Sequence, residues 1–221
     1  MRRAARPRAL LLGALLLGAA GVAPAAPAGP TREEALAALA DPTSVEARRR
    51  GAQGLGATGT MADLPALVRA LRDADAVVRA LAEHAMWQVW SRSGDDDVDR
   101  LLQIGIEQMN AREGEAAAET FTRVIARRPD FAEGWNKRAT VYYLLGEYRK
   151  SLADCDEVLR RNPYHFGALS GYGMIYLQLG RPALALPYFE KALDVNPNLG
   201  QVRETAEALR RLLIQRGRET I

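Results

Sequence analysis

The chain has 221 residues, 48% apolar and 26% charged, with a formal net charge of +3, an ordinary balance that excludes wholesale disorder. Two His and one Cys are too few for a Cys/His zinc site or an internal disulfide. The basic excess sits at one end: removing Arg2, Arg3, Arg6 and Arg8 from the 30 basic residues leaves 26 against 27 acidic, a net of −1.

The Arg-rich start precedes an apolar run from Ala9 to Ala23, stopped by Pro24. A membrane-spanning helix needs roughly 20 apolar residues, and this run is shorter. Small residues follow as Ala23-Pro24-Ala25 and Ala26-Pro27-Ala28. A charged start, a short apolar run and a small-residue site describe a secretory signal peptide over 1–25, with a linker at 26–30. Cleavage is expected after Ala25, with Ala28 as the alternative. No Cys stands near the site to take a lipid. The expectation is a periplasmic or secreted protein with no stable membrane insertion after cleavage and no nucleic-acid partner.

Residues 31–94 repeat at a spacing of 31 to 32. Asp41 aligns with Asp73, Ala47-Arg48 with Val78-Arg79, and Leu55-Gly56 with Met86-Trp87. A Leu-rich helix, an Asp turn and a Val-Arg-x-x-Ala helix resemble the bacterial HEAT-like repeat. The resemblance implies that Asp73 and Arg79 knit neighbouring turns together. Asp63 is placed to cap the helix that begins near Pro65. Ser91 to Asp97 reads as a junction, with Asp95 to Asp97 favouring the next helix N-terminus.

Residues 95–198 carry a different period. Pro129, Pro163 and Pro197 stand 34 apart, as do Gly105, Ala139 and Gly173, Tyr142 and Tyr176, and Gly146 and Gly180. Each period parses as two helices: Trp135 to Leu145 stops at Gly146, and Tyr148 to Arg161 stops at Asn162-Pro163. The small residues let paired helices approach closely. Trp135, Ala139, Tyr142, Gly146, Tyr148 and Pro163, then Gly173, Tyr176, Gly180, Ala185, Phe189, Ala192 and Pro197, resemble the tetratricopeptide repeat. The first period is in register through Leu101, Gly105, Ala117, Phe121 and Pro129, with its turn glycine displaced to Gly114. Pro187 lies inside the last second helix, which is therefore expected to start irregularly. Over 199–217, Val202, Ala206, Leu209 and Leu213 form the stripe of a capping helix with a polar outer face, and Arg203 is spaced to pair with Glu207.

No constellation points to chemistry. Gly54 to Gly59 spells G-x-G-x-x-G, but a dinucleotide site needs that string between a strand and a helix, and helix precedes it here. Asp95, Asp97 and Asp99 alternate as in a calcium loop, yet Arg100 and Ile106 stand where Gly and Glu are required. Cys155 occupies the Phe121 and Phe189 position and reads as a core residue. Neither His84 nor His165 has an obvious nucleophile or carboxylate partner, and Arg48-Arg49-Arg50 reads as a solvated face.

The expected architecture is an all-α, right-handed helical-repeat solenoid: two HEAT-like repeats, three tetratricopeptide repeats and a capping helix. The expected role is a non-catalytic scaffold of the cell envelope, with no cofactor, catalytic residue or metal ligand. The resemblance implies a concave groove that takes a protein or peptide partner. Its positions fall on Asp99, Leu102, Ile106, Met109 and Asn110, on Glu133, Asn136, Thr140, Tyr143 and Leu144, and on Gly167, Ser170, Met174, Leu177 and Gln178; Met109, Asn110, Asn136, Thr140, Tyr143, Ser170, Met174 and Gln178 are the expected partner contacts. Of the family's carboxylate clamp only Asn136 is present, so binding of a C-terminal carboxylate in the groove is not expected. The alternative is a self-associating structural protein (a homo-oligomer). A nucleotide-dependent enzyme using Gly54 to Gly59 is the third reading.

Overall fold

A computed structural model describes residues 29–219, with side chains to residue 216; the signal-peptide reading lies outside these residues. Eleven α-helices and one 3-10 turn make up the described chain, and no strand occurs among the described residues. Four helices come first: α1 (Arg32–Leu39), α2 (Val45–Thr58), α3 (Leu64–Ala70) and α4 (Ala76–Trp90). Their starts are set by short polar side chains that satisfy the first backbone N–H groups. Thr31 and Glu34 form a capping box, Ser44 accepts from Ala47 N, and Asp75 accepts from Val78 N. Asp63 behaves differently from expectation. It does not cap α3; its carboxylate closes the 3-10 turn Met61–Asp63 by accepting from Thr60 N at 2.8 Å, and it pairs with Arg32 at 2.6 Å.

The Asp and Arg positions of this segment do knit the helix pairs. Arg48 meets Asp73 at 2.7 Å and Arg49 meets Asp75 at 2.7 Å. The basic run is thus more than a solvated face, since two of its three arginines reach across to the next helix pair. Arg79 uses the Asp73 carbonyl (2.9 Å) and then reaches the Asn198 Oδ1 atom at 3.0 Å. The ladder therefore ends on the C-terminal half of the chain.

The 34-residue repeats form α5 (Asp96–Asn110) and α6 (Gly114–Arg127), α7 (Ala132–Leu144) and α8 (Tyr148–Arg161), and α9 (Phe166–Gln178) and α10 (Pro182–Val195), followed by α11 (Gly200–Glu219). Asp95 caps α5 by accepting from Asp97 N and Val98 N. Gly146 (φ +74°) and Gly180 (φ +68°) end α7 and α9 in left-handed turns. The bonds Glu147 N to Tyr142 O and Arg181 N to Tyr176 O complete the C-terminal motif. In the first repeat Arg112 takes the same place with φ +64°, and Glu113 N bonds Gln108 O. Gly114 is not a displaced turn residue: it opens α6, where a Cβ would lie 2.7 Å from the Leu145 side chain.

Three further expectations need correction. Helix α10 runs unbroken from Pro182 to Val195 through Pro187. The residue whose carbonyl loses its partner, Ala183, is exposed, as is Pro187, so water replaces the missing N–H. Helix α11 packs through Ala206 and Leu209, but Leu212 and Ile214 are exposed, so its outer face is not wholly polar. Arg203 bonds the Pro197 carbonyl instead of pairing with Glu207.

The N-terminal helices do not simply precede the repeats in one line. Helix α4 crosses the three corners where each second helix turns into the next first helix. Its Trp90 end stands at the first two corners, Trp87 packs edge-on to Phe166 with ring centroids 5.3 Å apart, and Glu83 accepts from Asn196 at 3.0 Å. Before it, Leu71 O accepts from Asn198 at 2.8 Å, and Arg72 bonds the Asp194 and Val195 carbonyls. One buried cluster accordingly joins Leu55, Leu67, Leu71, Met86 and Trp90 to Phe166, Leu169 and Ala192.

Candidate functional site

The first helices of neighbouring repeats, α7 and α9, flank a cavity of about 150 Å³. Asn136, Thr140 and Tyr143 line one side, and Gly167, Gly171, Met174 and Ile175 the other. Ala139, Ser151 and Cys155 make the floor. The cavity has a cause in the sequence. In the flanking repeats a phenylalanine lies on a glycine: a Cβ on Gly105 would stand 2.5 Å from Phe121, and one on Gly173 would stand 2.5 Å from Phe189. The middle repeat has Ala139 and Cys155 at those positions. A thiol is far smaller than a phenyl ring, and the added methyl of Ala139 only partly replaces the volume.

Four of the sequence-derived groove residues, Asn136, Thr140, Tyr143 and Met174, meet in this cavity. Gln178 donates to the Tyr143 hydroxyl across the groove at 3.3 Å. Thr140 and Ser170 turn their hydroxyls back onto the Asn136 and Phe166 carbonyls, at 3.0 and 2.8 Å. Met174 remains 40% exposed and offers an apolar contact at the rim. Met109 belongs elsewhere: with Arg112, Val141, Leu144 and Leu145 it lines a second cavity of about 290 Å³ near the helical turns. Asn110 is exposed at the last residue of α5. The sequence reading missed the floor residues Ala139, Ser151 and Cys155, although the break in the Gly–Phe pairing of the period marks them.

Cys155 is buried, and burial with the neighbouring charges of Asp154 and Asp156 pushes its thiol up to about 12. It therefore stays protonated near neutral pH and serves as floor rather than nucleophile. Ser151 donates to the Ala139 carbonyl at 2.7 Å and is likewise committed.

The groove end nearest the corners is closed. Gly167 lies against Trp87, and Glu133 is buried. His165, read from sequence as lacking a carboxylate partner, has one: its Nε2 stands 3.1 Å from Glu133 Oε2. Ala168 N donates to His165 Nδ1 at 3.1 Å, so Nε2 carries the proton and donates to the carboxylate. Lys137 at 3.0 Å and the Asn136 amide at 3.2 Å complete the shell. Burial pushes the Glu133 carboxyl up; the hydrogen bond from His165 and the Lys137 ammonium outweigh that and hold it below the usual carboxylate range. Trp90 stacks on the His165 ring at 4.4 Å and 18°, which seals the pair under α4.

The Gly54 to Gly59 string is the end of α2 and its cap, not a strand-to-helix turn. A Cβ on Gly54 would meet Ala35, and one on Gly56 would meet Gln88. These glycines serve helix contacts, and no backbone cradle for a phosphate is formed. Asp95 and Asp99 are spent on backbone N–H groups of Asp97, Val98 and Ser93. Among the described residues no group of three or more His, Cys, Asp or Glu is placed to hold a metal, and no helix is long and apolar enough to cross a membrane.

Known proteins are similar to this chain in sequence and in fold. Residues 130–198 match the tetratricopeptide repeat family. A tetratricopeptide repeat-containing protein of Rhizobium etli is 39% identical over 108 residues, which are 49% of this chain and 53% of that relative. Anaphase-promoting complex subunit 3 of Schizosaccharomyces pombe is 32% identical over 87 residues, 39% of this chain and 13% of that protein. The chain thus spans about half the length of the first relative and much less of the second. The Sgt2 tetratricopeptide domain of Aspergillus fumigatus superposes with a TM-score of 0.53 at 20% identity, covering 56% of this chain and 83% of that one. The first such domain of Spaghetti (RPAP3), solved with an HSP90 peptide, gives 0.51 at 19% identity, covering 53% and 93%. The likeness to the tetratricopeptide repeat family lies in residues 130–198, and the fold is a helical-repeat fold.

Proposed function

We propose that the chain is a non-catalytic protein-interaction module whose groove between α7 and α9 holds an extended peptide or a partner helix. The observation that carries this reading is the cavity floored by Ala139 and Cys155, an opening in an otherwise filled repeat, ringed by Thr140, Tyr143 and the exposed Met174. Its rim polar groups are uncharged, and its floor is largely apolar. It suits one aliphatic or aromatic side chain, with Gln178 beside it for backbone contacts. The solved domain of Spaghetti (RPAP3) with its HSP90 peptide supports the same use of the fold.

The test is a random peptide library selected on the protein, followed by titration of the winners. Selected peptides should share a large apolar anchor. Met174→Glu or Thr140→Arg should weaken them more than about tenfold, whereas Leu184→Glu, exposed on α10 and outside the cavity, should not. Winners indifferent to Met174→Glu would overturn the groove assignment.

The proposed place of action is outside the cytoplasm, in the cell envelope or beyond it. The Arg-rich start, the apolar run to Ala23 and the Ala-x-Ala sites support it. Mass spectrometry of the protein from its native host should find an N-terminus at Ala26 or Gly29. A retained Met1 would count against export.

A further inference from the structure

A separate cavity of about 220 Å³ lies where the N-terminal helices meet the first two corners of the repeats. That volume is several times the roughly 30 Å³ share of one water molecule. Its wall holds Trp90, Arg92, Arg128, Asp130, Phe131, Arg161 and Asn162, with Met61 and Val89 beside them. Two of these residues carry a buried donor with no acceptor: Trp90 Nε1 and Asn162 Nδ2. Both residues are almost wholly buried, Trp90 at 3% exposure and Asn162 at 1%. Orphan buried donors are uncommon in folded proteins because each forfeits its bond to water.

Three guanidinium groups surround them. Arg92 uses Nη1 and Nη2 on the Gly56, Ala57 and Gly59 carbonyls. Arg128 uses Nε and Nη2 on Asp130, and Arg161 uses Nε on Pro129 O and Nη1 on Glu157. A guanidinium has five N–H donors in a fixed fork, so each arginine keeps at least one for a further acceptor. Asp130 is paired with Arg128 and Glu157 with Arg161, so the three positive charges of the wall face two carboxylates, and donors remain in excess. Met61, Val89, Phe131 and Ala132 supply an apolar side.

We propose that this junction cavity is a binding site for a small organic monoanion, a carboxylate carried on a short apolar group. The carboxylate accepts from the Trp90 indole and the Asn162 amide and from the remaining N–H groups of Arg128 and Arg161; the apolar group lies on Phe131 and Val89. The negative Asp130 in the wall favours one charge over two. The site belongs to the corner between α4 and the repeats and is separate from the α7–α9 groove, so it stands or falls independently of peptide binding there.

The same chemistry reaches the site either as a free acid or as the last residue of a peptide. Hexanoate, hexanamide and a tetrapeptide ending in leucine, with its terminus free or amidated, separate these cases. Titration of the 15N-labelled protein should move the Trp90 indole N–H resonance downfield with hexanoate and leave it in place with hexanamide. A free-terminus peptide acting like hexanoate assigns a chain end; hexanoate alone assigns a free acid. Arg128→Gln, at a partly exposed position, and Trp90→Phe, which removes the N–H and keeps an aromatic ring, should each weaken binding by about tenfold or more. Asn162→Asp keeps the Oδ1 that caps Tyr164 N and should abolish binding by charge. No movement of the Trp90 resonance with any acid, or equal response to hexanoate and hexanamide, would overturn the proposal. So would affinity unchanged in Arg128→Gln and Trp90→Phe.

Discussion

Single residues explain how one repeat differs from its neighbours. Arg112 holds φ +64° where Gly146 and Gly180 stand one and two periods later. An L-residue in that region costs about 1–2 kcal/mol, and a glycine there gives some of the gain back through its freer unfolded chain. Arg112→Gly should therefore stabilise the protein by about 1 kcal/mol in urea unfolding; a destabilised variant would mean that the Arg112 side chain earns its place against Met109. Ala139 and Cys155 are the second case. Cys155→Phe alone forces a ring onto the Ala139 methyl and should cost about 1–3 kcal/mol by overpacking. Adding Ala139→Gly recreates the Gly105–Phe121 pairing. The double variant should be more stable than Cys155→Phe alone, although a glycine inside a helix costs about 1 kcal/mol. A double-mutant cycle measures that coupling, and additive effects would refute the volume argument. The filled variant should also lose the peptides selected on the groove.

Whole elements show what the sequence makes legible. Helices α5 to α10 follow from the 34-residue spacing, because repeated small, aromatic and Pro positions report local packing inside each pair. Pro187 misled that reading because position in the chain does not reveal which face is wet; on the exposed face the lost hydrogen bond is returned by water. Four groove residues were legible as repeat positions, but the floor was not, since it depends on a volume missing from α8. The role of α4 was hidden for a different reason. Trp87 and Phe166 are far apart in sequence, and no periodicity relates them. Within the N-terminal helices the carboxylates yield a pH expectation. Asp75 is lowered to about 2 by the Arg49 bond and then the Val78 N–H; Asp73 is lowered by Arg48, and Asp41 by the Ser44 and Thr43 N–H groups. A carboxyl depressed in the folded state stabilises above its unfolded value near 4 and loses that contribution as pH falls through the folded value. Tryptophan emission from Trp87 and Trp90 should therefore report loosening between about pH 4 and pH 2. Asp75→Asn, which keeps the cap but not the charge, should flatten that limb; an unchanged acid profile would remove Asp75 from the account.

At the scale of the molecule the chain is closed on itself. A repeat array by itself has neighbour contacts only, so its curvature responds to small changes at each interface. Here α4 packs on the second and third corners and shares a cavity with the first. Trp90 lies on His165, Trp87 on Phe166, Glu83 on Asn196 and Arg79 on Asn198. A rigid member fastened at two successive corners fixes the angle between those repeats, and with it the width of the α7–α9 groove. The Glu133–His165 pair lies under that fastening, with Trp90 stacked on the His165 ring. The consequence is cooperativity between segments remote in sequence. Trp87→Ala removes three edge-on ring contacts, with Trp90, His165 and Phe166. Truncating a large aromatic in a packed site costs about 3–5 kcal/mol, and the half-buried Trp87 belongs at the lower end. Hydrogen exchange should then show loss of protection in α2, α4 and α9 together, since all three share one buried cluster. Faster exchange confined to α1–α4, with α9 unchanged, would mean that the N-terminal helices merely rest on the repeats and set nothing about the groove.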